Sequence, residues 1–152
     1  VNALPFADSS FAVFLSADVF CHRSVDPAAA LAEARRVLRP GGRIVLNMPA
    51  FMWMMAAHDR RVHTARRVTT AEMAGMLQQA GFTAVRARYW NSLLFPLMVA
   101  QRKLFTSEAH HSDVVDFPPW LDATFHAVTQ VERSLPFPMP AGGSVMAIAE
   151  RA

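Results

Sequence analysis

FAVFLSADVF, residues Phe11 to Phe20, decides how the rest of the chain is read. It is apolar on both alternating faces until Asp18, the pattern of a parallel strand buried between two helix layers. Asp26 followed by Pro27 gives an N-cap and a first-turn proline, and Leu31, Ala34 and Leu38 recur at helical spacing. Arg39-Pro40-Gly41-Gly42 stops that helix, and RIVLNM, Arg43 to Met48, is a second apolar strand. Strand, helix and strand within about forty residues make a βαβ unit, so the two strands are expected to be parallel and joined by a right-handed crossover.

Toward the C-terminus, Thr69-Thr70-Ala71-Glu72 predicts a capping box. Met73, Met76, Leu77 and Ala80 share a helix face behind it, and Gly81 supplies the left-handed exit. Val85, Ala87 and Tyr89 alternate with Arg86 and Arg88, a strand with one wet face and therefore nearer an edge. Helices are expected over 93–105 and 119–133, the latter continuing its apolar side (Leu121, Phe125, Val128) to Leu135, and a last strand over 144–150. The fold class is therefore α/β, with residues 1–152 as a single domain.

Composition agrees with a packed domain. Hydrophobic residues make up 53% of the 152 and charged residues 18%, which excludes disordered and collagen-like classes. One cysteine, Cys21, excludes an internal disulfide and a Cys-rich zinc site. Asp18 interrupts the first apolar run, and Arg102 and Lys103 close the second, before either reaches the ~18 residues of a spanning helix. The opening residues have neither the basic flank nor the cleavage site of a secretory signal, so the cytoplasm is the expected compartment.

The formal charge of +3 is unevenly spread. Arg35, Arg36, Arg39, Arg43, Arg60, Arg61, Arg66 and Arg67 face a single acid in that stretch, Asp59, whereas 108–132 holds acids and no Lys or Arg. A basic stretch attracts phosphate, carboxylate or nucleic acid; a GC-rich genome, favouring Arg over Lys, would also produce it. Stacking aromatics do not interleave with these arginines, so a nucleic-acid partner is not expected.

Several segments taken in order carry a resemblance. LPFADSSF (4–11), then SADVFCH (16–22), then ARRVLRPGGR (34–43) is similar to the class I S-adenosylmethionine-dependent methyltransferases of the type 11 family. His58-Asp59, Arg66-Arg67, Ala80-Gly81-Phe82 and Tyr89-Trp90-Asn91 also look like one branch of it. The resemblance implies S-adenosylmethionine as cofactor and a partial Rossmann-like sheet, strands four to seven of seven. The family's glycine-rich loop and ribose-binding acid precede that region, yet all six Gly lie at position 41 or later. The chain is therefore expected to be the C-terminal part of the domain, either completed by a missing N-terminal half or by another chain, or closed on itself. A noncatalytic module pairing its open strand edge with another copy, as a homodimer, or with a partner is the rival expectation.

Ligands of open α/β sheets sit beyond the carboxyl ends of the strands, which puts Ala17, Asp18, His22, Asn47, Met48 and Pro49 at the site. By resemblance, Asn2, Ala3 and Leu4 would flank the adenine, and Ser16, Ala17 and Asp18 would line the methionine end. Asp18 either pairs with the cofactor ammonium or caps a turn. His22 is the candidate general base, with a loop-fixing hydrogen bond as its alternative. His58, Asp59, His63, Arg66 and Arg67 are the most polar cluster on a loop between strand and helix; the resemblance implies that this loop covers the acceptor pocket, and paired guanidinium groups suit an anionic acceptor. Met52, Trp53, Met54 and Met55, and the apolar run 93–99 with Phe95, would suit a lipid-like acceptor or a lid. No metal is expected, because His58, Asp59 and His63 have unspecific spacing.

Overall fold

The computed structural model describes residues 1–104 and 118–152. The expected helix end at Phe105, and the acids Glu108, Asp113 and Asp116, lie outside the described residues. Four strands form one mixed sheet: β1 (Phe11–Ala17), β2 (Leu38–Pro49), β3 (Phe82–Trp90) and β4 (Ser144–Arg151), in spatial order β1-β2-β4-β3. β1 and β2 are parallel, in register from Val13 with Arg43 to Ala17 with Asn47. β4 runs antiparallel to both β2 and β3. The carboxyl ends of β1, β2 and β3 and the start of β4 therefore meet at one end of the sheet.

Helix α1 (Pro27–Val37) starts as the sequence requires: the Asp26 carboxylate accepts from the amides of Ala28 and Ala29, satisfying donors that helix geometry leaves orphaned. Ala30, Leu31 and Ala34 are buried, as is Leu38 at the helix exit. Helix α3 (Thr70–Gln79) carries the expected capping box, Thr69 Oγ1 accepting from the Glu72 amide while the Glu72 carboxylate accepts from the Thr69 amide. Gly81 closes it at φ +82, a conformation that would strain any other residue there. Replacing Thr69 by Ala is expected to cost about 1 kcal/mol in a urea titration. An unchanged midpoint would show that the cap does not hold α3.

These helices pack one sheet face, where Ile44, Leu46, Met48, Val145, Ala147 and Ala149 join Met73 and Leu77 in a continuous core. Burial of that apolar area drives folding. The reading of Phe11–Phe20 as a strand buried on both faces is corrected here. β1 ends at Ala17, lies at the edge of the described sheet, and leaves Val13 56% and Leu15 71% exposed. The alternation of Phe14 and Ser16 with Val13 and Leu15 puts the first pair on the covered face and the second on the exposed one. Phe20 still reaches the core, from the loop beyond the strand. The Arg39-Gly42 turn also differs: it is absorbed into β2, with Gly41 at φ +72.

Past β2 the chain makes a short 3-10 turn (Met52–Met54) and the five-residue helix α2 (Ala57–Arg61). Helix α4 (Phe95–Leu104) follows β3, and helix α5 (Pro119–Arg133) precedes β4. Leu121, Phe125, Val128 and Leu135 are only half-buried. The most buried residue of α5 is Glu132, whose carboxylate accepts from the amides of Ser92 (2.8 Å) and Leu93 (3.2 Å) just ahead of α4.

Candidate active site

A cavity of about 420 Å³ opens at the shared strand end. Asp18 and His22 reach it from the loop after β1, Pro49 from the end of β2, and Ser144 from the start of β4. His58, Asp59 and Arg67 contribute from α2 and the segment before α3, and Met98 and Arg102 from α4. Cys21, Val62, Thr64 and Gly143 complete the wall.

Asp18 departs from the extended backbone at φ +55, directly after the last β1 residue. That turn sets its carboxylate beside Asn47, whose Nδ2 donates to Asp18 Oδ1 at 3.0 Å. Burial pushes the Asp18 carboxyl above its ordinary range, and the Asn47 hydrogen bond and the Arg67 charge oppose the shift. Asn47 Oδ1 and Ser16 Oγ are buried without a hydrogen-bonding partner in the structure. Asp18 does not cap the turn with its side chain; its carbonyl instead accepts from Cys21 Sγ at 3.1 Å. Cys21 is 4% exposed, and burial raises its thiol pKa, which fits a packed thiol better than a nucleophile.

His22 both lines the cavity and holds its loop: Nδ1 shares a hydrogen bond with Ser24 Oγ at 2.7 Å, and its ring meets that of His63 edge-on at 5.6 Å. His63 and Arg66 stand outside the cavity wall. Arg66 donates to the His22 carbonyl at 2.8 Å, and Arg67 donates to Asp59 Oδ1 at 2.6 Å and to the Ala50 carbonyl at 2.9 Å. The adjacent guanidinium groups thus stitch the loops together, and Arg67 is 6% exposed. Asn2, Ala3 and Leu4 also stand off the wall. Asn2 bonds Ser24 and Asp26, and the Leu4 amide donates to Glu33, whose carboxyl is held down to about 2 by hydrogen bonds from Arg36 and Leu4.

Met98, Arg102, Gly143 and Ser144 escaped the sequence reading. At Gly143 the chain packs closely, since a Cβ there would stand 2.7 Å from Met98 Cε. Past the end of β2, Phe51 stacks against Tyr89 at 5.1 Å and Trp53 at 5.7 Å and meets Phe95 at 5.5 Å, although none of these rings lines the cavity. Phe51 adopts φ +58, an unusual backbone state for an aromatic residue. Among the described residues no group of three His, Cys, Asp or Glu could hold a metal ion, and no helix is long and apolar enough to cross a membrane.

The described residues thus form a four-stranded, Rossmann-like α/β sheet with one antiparallel strand next to its edge and a cavity at the carboxyl ends of its parallel strands. Residues 1–46 match the family described as a methyltransferase domain. An uncharacterized 37.1 kDa protein in transposon TN4556 of Streptomyces fradiae is 51% identical over 49 residues, 32% of this chain and 14% of that protein. The ubiquinone/menaquinone biosynthesis C-methyltransferase UbiE of Paracoccus denitrificans is 35% identical over 113 residues, 57% of this chain and 44% of that enzyme. The crystal structure of a S-adenosylmethionine-dependent methyltransferase from Thermotoga maritima superposes with a TM-score of 0.60 at 20% identity, covering 99% of this chain and 60% of that one. The chain is thus similar to S-adenosylmethionine-dependent methyltransferases, in sequence most clearly over residues 1–46 and in fold over nearly all of its length, and it spans less than two thirds of the length of each of these relatives.

Proposed function

We propose that this chain forms the acceptor side of an S-adenosylmethionine-dependent methyltransferase acting on a small molecule with an apolar body. The observation that carries the reading is the convergence of Asp18, His22 and Ser144 with Met98 and Val62 in one cavity beyond the carboxyl ends of parallel strands. The residues present suit the cationic end of that cofactor: the Asp18 carboxylate would pair with its ammonium, and the unpartnered Asn47 Oδ1 is a further acceptor close by. When bound, the sulfonium supplies an activated methyl group for in-line displacement.

The chain's own residues then align and exclude water. His22, its ring set by Ser24, would take the proton from an acceptor hydroxyl or amine. Met98 and Val62 in the cavity wall favour an apolar acceptor. An anionic acceptor held by Arg66 and Arg67 has less support, because both guanidinium groups already serve internal partners. The name of the Paracoccus relative, with C-methylation in ubiquinone and menaquinone biosynthesis, supports the apolar direction. The glycine-rich loop and ribose acid of the class would come from a further half of the sheet, and the exposed Val13 and Leu15 of β1 offer the surface for it.

Calorimetry tests this reading. The enzyme with that further half in place is expected to bind one S-adenosylmethionine per chain, and Asp18→Ala to weaken binding about tenfold or more, as loss of a charge-assisted hydrogen bond would. No heat of binding from the completed enzyme would overturn the proposal. Unchanged affinity in the variant would remove Asp18 from the cofactor site.

A further inference from the structure

The Asp59 carboxylate draws together segments that are far apart in the sequence. Its Oδ1 accepts from Arg67 at 2.6 Å, and its Oδ2 accepts from Arg102 at 2.9 Å and from the Ala56 amide at 2.7 Å. Arg67 also bonds the Ala50 carbonyl at the end of β2, and Arg102 bonds the Met54 carbonyl. One carboxylate therefore joins the sheet end, the 3-10 turn, α2, the approach to α3, and α4. A helix as short as α2 has no stability of its own, so these bonds are what places it.

The two guanidinium groups are not equivalent. The Arg67 side chain is 4% exposed and anchored to the sheet, whereas that of Arg102 is 27% exposed and stands on α4. Met98 and Arg102 are four residues apart, hence on one helix face, and both line the cavity. Met98 packs against Gly143, where a Cβ would stand 2.7 Å from its Cε. The cavity side of α4 is thus fixed at one turn by packing and at the next by the ion pair.

We propose that Arg102, acting through Asp59, is the positioning residue that holds α4 across the acceptor cavity and so sets the shape of the acceptor wall. The proposal rests on the reading of this cavity as the acceptor site. Arg67 holds Asp59 in place; Arg102 is the half of the network that can release without exposing the core. Loss of Arg102 opens the cavity while the sheet and α3 stay folded.

Cys21, the sole cysteine, lines the cavity and is buried, so its reaction with N-ethylmaleimide at fixed pH reports the state of the wall. Arg102→Met is expected to speed labelling about tenfold, the effect of losing one charge-assisted bond on a local opening equilibrium. Arg102→Lys should recover part of the protection. Leu77→Ala, a core variant distant from this ion network, serves as the stability control. Labelling that rises in Arg102→Met no more than its loss of global stability dictates, on the scale set by Leu77→Ala, overturns the proposal, as does an unchanged rate. Because labelling needs no methyl transfer, a completed enzyme that fails to bind cofactor would sink the functional reading and leave this result standing.

Discussion

Asp59→Ala is expected to lower the unfolding free energy by about 3–5 kcal/mol, because it strands the Arg67 guanidinium in a site with almost no access to water. The two side chains are 5% and 4% exposed and 2.6 Å apart. Arg67 Nε already lacks a partner, so the variant would leave most of that cation unmatched. Arg67→Met alone should cost a similar amount, and the double replacement Asp59→Ala with Arg67→Met much less than the sum, since it removes both buried charges together. Urea titrations of the four proteins read these differences. An additive double variant would mean that the two side chains act independently.

The same network predicts a pH dependence. Burial acts to raise the Asp59 carboxyl, but hydrogen bonds from Arg67, the Ala56 amide and Arg102 outweigh it and hold the pKa below the ordinary 3.8. A carboxyl lower in the folded than in the unfolded state contributes stability that is fully present above the unfolded value and is lost as pH falls through the folded one. Stability should therefore decline on acidification below about pH 4, and Asp59→Asn should flatten that decline. A steeper acid loss in Asp59→Asn would reverse the assigned sign.

Phe20→Ala is expected to cost about 3–5 kcal/mol, the range for deleting a buried aromatic ring. Phe20 is 1% exposed, meets Phe14 edge-on at 6.5 Å, and is the anchor of the loop that carries Asp18, Cys21 and His22. Phe20→Leu, which keeps most of the buried volume, should lose far less. A cost below about 1 kcal/mol for the alanine variant would show that the loop is held by its hydrogen bonds instead.

Local signals carried much of the architecture. The Asp26 cap, the Thr69–Glu72 capping box and the Gly81 exit each depend on residues within a few positions of one another, and each is formed as expected. The alternation of Val85, Ala87 and Tyr89 with two arginines placed β3 at an edge for the same reason. The site was partly legible. Asp18 and His22 follow from the rule that ligands lie beyond strand ends, and both line the cavity. Arg66 and Arg67 did not follow: as sequence they are two free cations, and only folding brings Asp59 and the carbonyls of His22 and Ala50 to them.

The order of apolar runs, caps and glycines by itself determined a βαβ unit, the helix before β3 and the class of sheet, because those features are short-range and repeat with the period of each element. Tertiary structure decided that β1 has one uncovered face, that Met98 and Arg102 wall the cavity, and that Asp59 unites five segments. Those outcomes depend on contacts across tens of residues, where burial and charge pairing arise only once distant parts of the chain have met.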